Sequence, residues 1–210
     1  MPRTSLARLT ATAILLSMAA ATPAVANDVA NSGFEDPITF DGPPYVGFWE
    51  GFTGGAGSDA ANSGVLPHSG AQHLLLDIID SPNNFCGVLQ DIPALTAGEV
   101  YLLRGWHMTP STTFGVGVEI RIEWRDSVSN TEISRTPNIT TEPSDTYTQF
   151  SLSAEAPTGA DTARIVYALQ SFSGGAVRSG TAYVDDVEFG LENQSTVESA
   201  TWGSVKSLYR

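Results

Sequence analysis

The sequence predicts an all-β domain of the sandwich type, and three observations carry that prediction. Between Asn27 and Gly190 the chain is rich in Gly, Pro, Ser, Thr and Asn. Its apolar residues alternate over short stretches and do not recur at helical spacing. Each stretch is bounded by turn chemistry such as Ser81-Pro82-Asn83-Asn84 or Gly174-Gly175. Many short strands without helical patterns between them suit a sandwich better than a parallel α/β sheet.

The chain opens on Arg3 and Arg8, an apolar run from Ala11 to Ala20, and the small-residue ending Ala24-Val25-Ala26. These are the three regions of a secretory signal peptide, with cleavage expected after Ala26. The run is shorter than the roughly 20 apolar residues that span a bilayer. Residues 1–26 therefore predict a secreted, extracellular or cell-surface protein. The full chain carries 10 basic and 23 acidic residues, a net charge of −13. Removal of Arg3 and Arg8 with the leader leaves 8 against 23, a net −15. Such acidity disfavours nucleic acid and anionic membranes as partners. Cys86 is the only cysteine, so no internal disulfide can form, and it reads as a small buried apolar residue.

The strands follow in order. His73 to Ile79, Phe85 to Ile92 and Val100 to Met108 come first, with Leu95 to Glu99 as the loop feeding Val100. The clearest is Val118-Glu119-Ile120-Arg121-Ile122-Glu123-Trp124, whose apolar residues point one way and charged residues the other. Thr146 to Ala154, Ala163 to Gln170 and Thr181 to Phe189 complete the set. Residues 191–210 differ. After a linker at Asn193-Gln194, Trp202, Val205 and Leu208 or Tyr209 lie about one helical turn apart, with Lys206 and Arg210 at the C-terminal end. This segment reads as a short amphipathic helix, either docked on the domain or serving surface attachment.

Two motifs at opposite ends of the domain, Asn31-Ser32-Gly33-Phe34-Glu35 and Tyr183-Val184-Asp185-Asp186-Val187, carry a resemblance. With Pro67-His68-Ser69-Gly70, Leu89-Gln90-Asp91-Ile92, Ala97-Gly98-Glu99-Val100-Tyr101 and Pro157-Thr158-Gly159-Ala160 between them, residues 28–190 resemble the carbohydrate-binding modules attached to cellulases and xylanases. The resemblance implies the galactose-binding-like jelly roll, a polysaccharide or glycan as partner, and a structural calcium beside the first and last strands. Glu35 would supply one carboxylate to that ion, with Asp185 the first choice and Asp186 the second for another, because strand alternation places Asp185 on the face of Val187 and Phe189. A Gly-rich insertion at Gly54 to Ser58 and the run Asp77-Ile78-Ile79-Asp80 depart from the family pattern.

Sugar rings stack on aromatic side chains and their hydroxyls take polar partners. The aromatic candidates are Trp49 and Phe52, in the Gly-rich segment Gly47 to Gly57 read as a loop, together with His107, Trp124 and Trp106, the last sharing a face with Leu102 and Arg104. Arg104, Arg121, Glu119, Glu123 and the residue Gln90, read as lying in a loop, are the polar candidates, and a solvated sheet face explains the same row. Trp124, in phase with Ile120 and Ile122, belongs to the core. No Gly-x-Ser-x-Gly elbow, phosphate-binding loop or His-Glu-x-x-His occurs, and His68, His73 and His107 lack zinc spacing. The expectation is a secreted non-catalytic binding module. The alternative is a cell-surface or matrix protein using the same fold for protein contacts and attached through its C-terminal segment.

Overall fold

The computed structural model describes residues 27–110, 115–171 and 178–192, so the expected leader and the C-terminal segment with Trp202 lie outside the described residues. Ten strands run through them: β1 (Glu50–Thr53), β2 (Ser58–Ser63), β3 (His73–Ile78), β4 (Phe85–Pro93), β5 (Val100–Thr109), β6 (Val116–Asp126), β7 (Thr131–Arg135), β8 (Ser144–Glu155), β9 (Thr162–Ser171) and β10 (Gly180–Leu191). They form two five-stranded sheets, in the orders β1-β4-β9-β6-β7 and β2-β3-β10-β5-β8. Every strand pairing within them is antiparallel. This is a β-sandwich of jelly-roll type, as the alternation and the motif resemblance together led one to expect.

Each of the seven expected strands forms within two residues of its expected limits. β1, β2 and β7 were not anticipated, because none alternates. β2 is the polar run Ser-Asp-Ala-Ala-Asn-Ser, with Ala60 its one buried residue, and β7 is a largely exposed edge strand.

The core lies between the sheets, where Leu74, Leu76 and Ile78 of β3, Val88 of β4, Leu103 of β5, Val118, Ile120, Ile122 and Trp124 of β6, Ile165 and Leu169 of β9 and Phe189 of β10 are buried. Each such side chain contributes about 1.5–3 kcal/mol when removed from water. Cys86 is buried there, its thiol bonded to the Asp77 carbonyl at 3.4 Å, and burial pushes its pKa up to about 12. It is therefore no nucleophile at neutral pH.

The opening motif is folded for three tasks. Asn31 and Phe34 take φ of 51° and 53°, tightening the turn so that Phe34 drops into the core and stacks on Trp49 at 5.0 Å. The Ser32 carbonyl accepts the Val187 amide, and Phe189 accepts that of Asp28, so this segment runs beside the second half of β10 beyond its pairing with β3. Gly33 lies against both Asp185 and Asp186, and a Cβ there would touch both carboxylates at 3.6 and 3.7 Å.

Candidate functional site

Strand alternation gives each sheet an inner and an outer face, and the register aligns the outer residues in rows. On the β1-β4-β9-β6-β7 sheet one row runs Phe52, Gly87, Ala168, Glu119, and the next Glu50, Leu89, Val166, Arg121. A third runs Asp91, Arg164, Glu123, Arg135, and beyond the first row stand Phe85, Gln170 and Gly117. The centre is thus made of residues with little or no side chain, Gly87, Ala168 and Gly117. Aromatic rings stand on one side and charged groups on the other.

The aromatic side is Phe52 and Phe85, in tilted contact with ring centres 6.2 Å apart, and Phe85 is 44% exposed. Gly87 has to be glycine, since a Cβ would fall 2.6 Å from the Phe52 ring and 2.5 Å from the Tyr167 carbonyl. The polar side is built around Glu123, whose buried carboxylate meets Arg121 at 2.8 Å, Arg135 at 3.6 Å and Arg125 at 3.8 Å. Glu119 flanks Arg121 from the other side at 3.6 Å. Except for Arg135, the side chains of these pairs are largely withdrawn from water. Their effect is to hold Arg121 in one orientation over the trough. In chemical terms the face offers an apolar platform, with the Phe52 ring laid over Gly87, and fixed donors and acceptors beside it.

The outer face of the other sheet is different, because the segment Gly64 to Ala71 lies across it. His68 stacks on Trp106 with ring centres 4.4 Å apart and meets Tyr147 at 5.0 Å. The Tyr147 hydroxyl donates to the Leu66 carbonyl, and the buried His73 ring contacts the Val65 carbonyl at 2.7 Å. Arg104 on this face is spent on Glu188, with two bonds of 2.8 and 2.6 Å.

The expected ligand residues are therefore dispersed. Phe52 and Arg121 share one outer face, whereas Arg104 and Trp106 stand on the opposite one. Trp49 is corrected to the core: it is 2% exposed, stacks on Phe34 and donates its indole N–H to the Asn31 carbonyl. Gln90 is also corrected. It is no loop residue but the inward-facing centre of β4, wholly buried, with its amide accepting from Ala30 N at 2.8 Å and donating to Ala30 O at 3.0 Å. Phe85 and Gln170 join the face of Phe52 and Arg121, and strand phase identifies Phe85: Phe85, Gly87, Leu89 and Asp91 alternate with the inward-facing Cys86, Val88, Gln90 and Ile92.

The carboxylates considered for calcium all grip one loop. Asp185 accepts the amides of His68 (2.9 Å) and Ser69 (3.0 Å) and that of Asp186 (2.8 Å). Asp186 meets His68 Nδ1 at 2.6 Å and accepts from the Ser69 hydroxyl. Glu35 accepts from Ala71 N at 2.8 Å, beside Gly70, where φ is 59° and any Cβ would strike the carboxylate. The expected side of Asp185 is corrected as well. Asp186, at φ 49°, is the extra residue of a β-bulge, which shifts the phase so that Asp185 pairs with outward-facing Trp106 and is buried by the loop instead of by the core. Among the described residues no three His, Cys, Asp or Glu groups converge at metal-holding spacing. Asp185 and Asp186 do come together beside Gly33, and burial followed by the neighbouring Asp186 charge raises the Asp185 pKa against its amide bonds. All four oxygens of this pair are engaged, with the amides of His68, Ser69 and Asp186, the His68 ring and the Ser69 hydroxyl.

No protein-family description matches this sequence, and no curated protein matches it. Solved structures do match in fold. The CBM22-1 xylan-binding domain of Paenibacillus barcinonensis Xyn10C superposes with a TM-score of 0.54 at 14% identity, covering 83% of this chain and 100% of that one. A sugar-binding protein of Bacteroides thetaiotaomicron, so described provisionally, gives 0.55 at 11% identity over 79% and 100%. The enzymatically active domain of bacteriophage CBA120 tailspike protein 4 gives 0.57 at 19% identity over 79% of this chain. The chain spans only 21% of that tailspike domain. Most of the similar structures are carbohydrate-binding modules. The chain thus shares the jelly-roll β-sandwich fold of these modules.

Proposed function

We propose that this protein is a secreted, non-catalytic carbohydrate-binding module that holds a polysaccharide on the outer face of the β1-β4-β9-β6-β7 sheet. The observation that carries the reading is the pair of Phe52, lying over Gly87, and Phe85, 44% exposed, on the same face as the fixed Arg121 and Glu119. The CH face of a sugar ring stacks on the phenyl rings, while its hydroxyls bond to the polar side and to Gln170. The fold shared with carbohydrate-binding modules supports the ligand class, and the leader-like residues 1–26 support export. Titration against a panel of soluble neutral polysaccharides tests this reading. Saturable binding without release of reducing sugar is expected; failure to bind any of them, or hydrolysis, contradicts it.

Calcium belongs to the same proposal, held by Asp185 and Asp186 with Glu35 on the adjoining loop, where it would offset the repulsion of two carboxylates and fix the Gly64 to Ala71 segment. Its role would be structural, remote from the sugar. Chelator should then lower the melting temperature by several degrees, and calcium should restore it. An unchanged melting temperature would remove calcium from the account and leave the trough untouched.

A further inference from the structure

A second feature of the ligand-facing sheet lies beyond the trough. β1 ends its pairing with β4 at Leu89, and the chain segment around Tyr45 takes its place, with Val46 bridging Asp91 in parallel and the Asp91 amide donating to the Tyr45 carbonyl at 3.2 Å. Glu50 secures the approach to this segment by accepting from Thr39, Asp41 and Gly42. Tyr45 reaches across β4 and lies over the Arg164 guanidinium, 4.7 Å from its ring centre. Arg164 is itself locked to Asp91 by two bonds of 2.7 and 2.9 Å. Beside the ring opens a groove of about 510 Å³, with Pro44 and Tyr45 on one wall and Arg125 and Asn130 on the other.

This groove repeats the chemistry of the trough: a held aromatic ring with a proline on one side, donors and acceptors on the other. Both aromatic walls stand on the β4 edge, and the row of Gly87 and the row of Asp91 are four residues apart, about 13 Å along the strand. Charge narrows the ligand. Arg164 is neutralised by Asp91, and Arg125 is turned onto Asn130 with Glu123 at 3.8 Å. Neither cation is left to select a carboxylate or sulfate.

Resting on the trough being a glycan site, we propose that the groove at Tyr45 is a distal subsite for the same neutral polysaccharide chain. The module then reads an extended internal stretch of several sugar units along the strands, and not a chain end.

The test is calorimetric titration with xylo-, cello- and galacto-oligosaccharide ladders of two to six units, against wild type, Tyr45→Ala and Tyr45→Phe. For the ladder that binds, affinity should climb at least tenfold from the dimer to the hexamer. Tyr45→Ala should remove most of that climb while leaving dimer binding unchanged, and Tyr45→Phe should keep it. Equal losses for short and long oligomers, a wild-type affinity independent of length, or an unaffected Tyr45→Ala would each overturn the subsite while leaving the trough intact. Absence of binding by wild type to every ladder would overturn both.

Discussion

Replacing Phe52 and Phe85 together by alanine is expected to weaken polysaccharide binding by roughly 30- to 150-fold. The two rings are the apolar platform of the trough, and losing the area they share with a sugar costs about 2–3 kcal/mol. Because they touch each other at 6.2 Å, the single substitutions should not add to the double one. Phe85 is 44% exposed in the free protein, so its removal should change the melting temperature far less than a core truncation would. Trp106→Ala is the matched control. It removes an aromatic residue from the opposite face, where His68 already covers the ring, and affinity should stay at the wild-type value. Titration of these four variants separates the faces.

The second large effect concerns stability toward acid. His107 is 1% exposed, packed edge-on against Phe150 and Tyr167, and its Nδ1 shares a 2.7 Å hydrogen bond with the Tyr167 hydroxyl. Burial lowers its pKa to about 4, below the ordinary 6.5. The folded state therefore refuses a proton that the unfolded chain accepts below pH 6.5. The contribution is intact above that pH, is lost as pH falls from 6.5 to 4, and is level below. At about 1.4 kcal/mol per unit the total is roughly 3 kcal/mol, a large part of a typical domain's stability. Asp185 works in the opposite sense, since its raised pKa means that acid relieves a cost of folding. Chemical unfolding of wild type and His107→Gln across this range isolates the histidine: the variant should start less stable and lose markedly less on acidification. Parallel curves would contradict the assignment.

Most of the fold was legible in the sequence because alternation is a local property. Val118 to Trp124 declares both of its faces by itself, and the structure buries the ones expected. What alternation does not tell is the sheet to which a strand belongs. Arg104 and Arg121 both point outward, yet the jelly roll sends β5 and β6 to different sheets, so the two lie on opposite sides of the molecule. Trp49 was misread because the glycines around it suggested a loop, whereas β1 begins at Glu50 and the ring packs on Phe34. Asp185 was misassigned by one residue of bulge at Asp186, and no pattern in Val-Asp-Asp-Val announces that. Gln90 shows a further limit. A polar side chain can face the core when a distant backbone, here Ala30, satisfies both ends of its amide.

The central claim is that the face bearing Gly87, Ala168 and Gly117 receives the glycan. Amide chemical-shift mapping with a bound oligosaccharide tests it most directly. The account predicts that Phe85, Gly87, Gly117, Arg121, Ala168 and Gln170 shift on addition of the sugar while Arg104, Trp106, Ser151 and Glu188 do not. Shifts confined to the β2-β3-β10-β5-β8 sheet or to the Gly64 to Ala71 segment would contradict it.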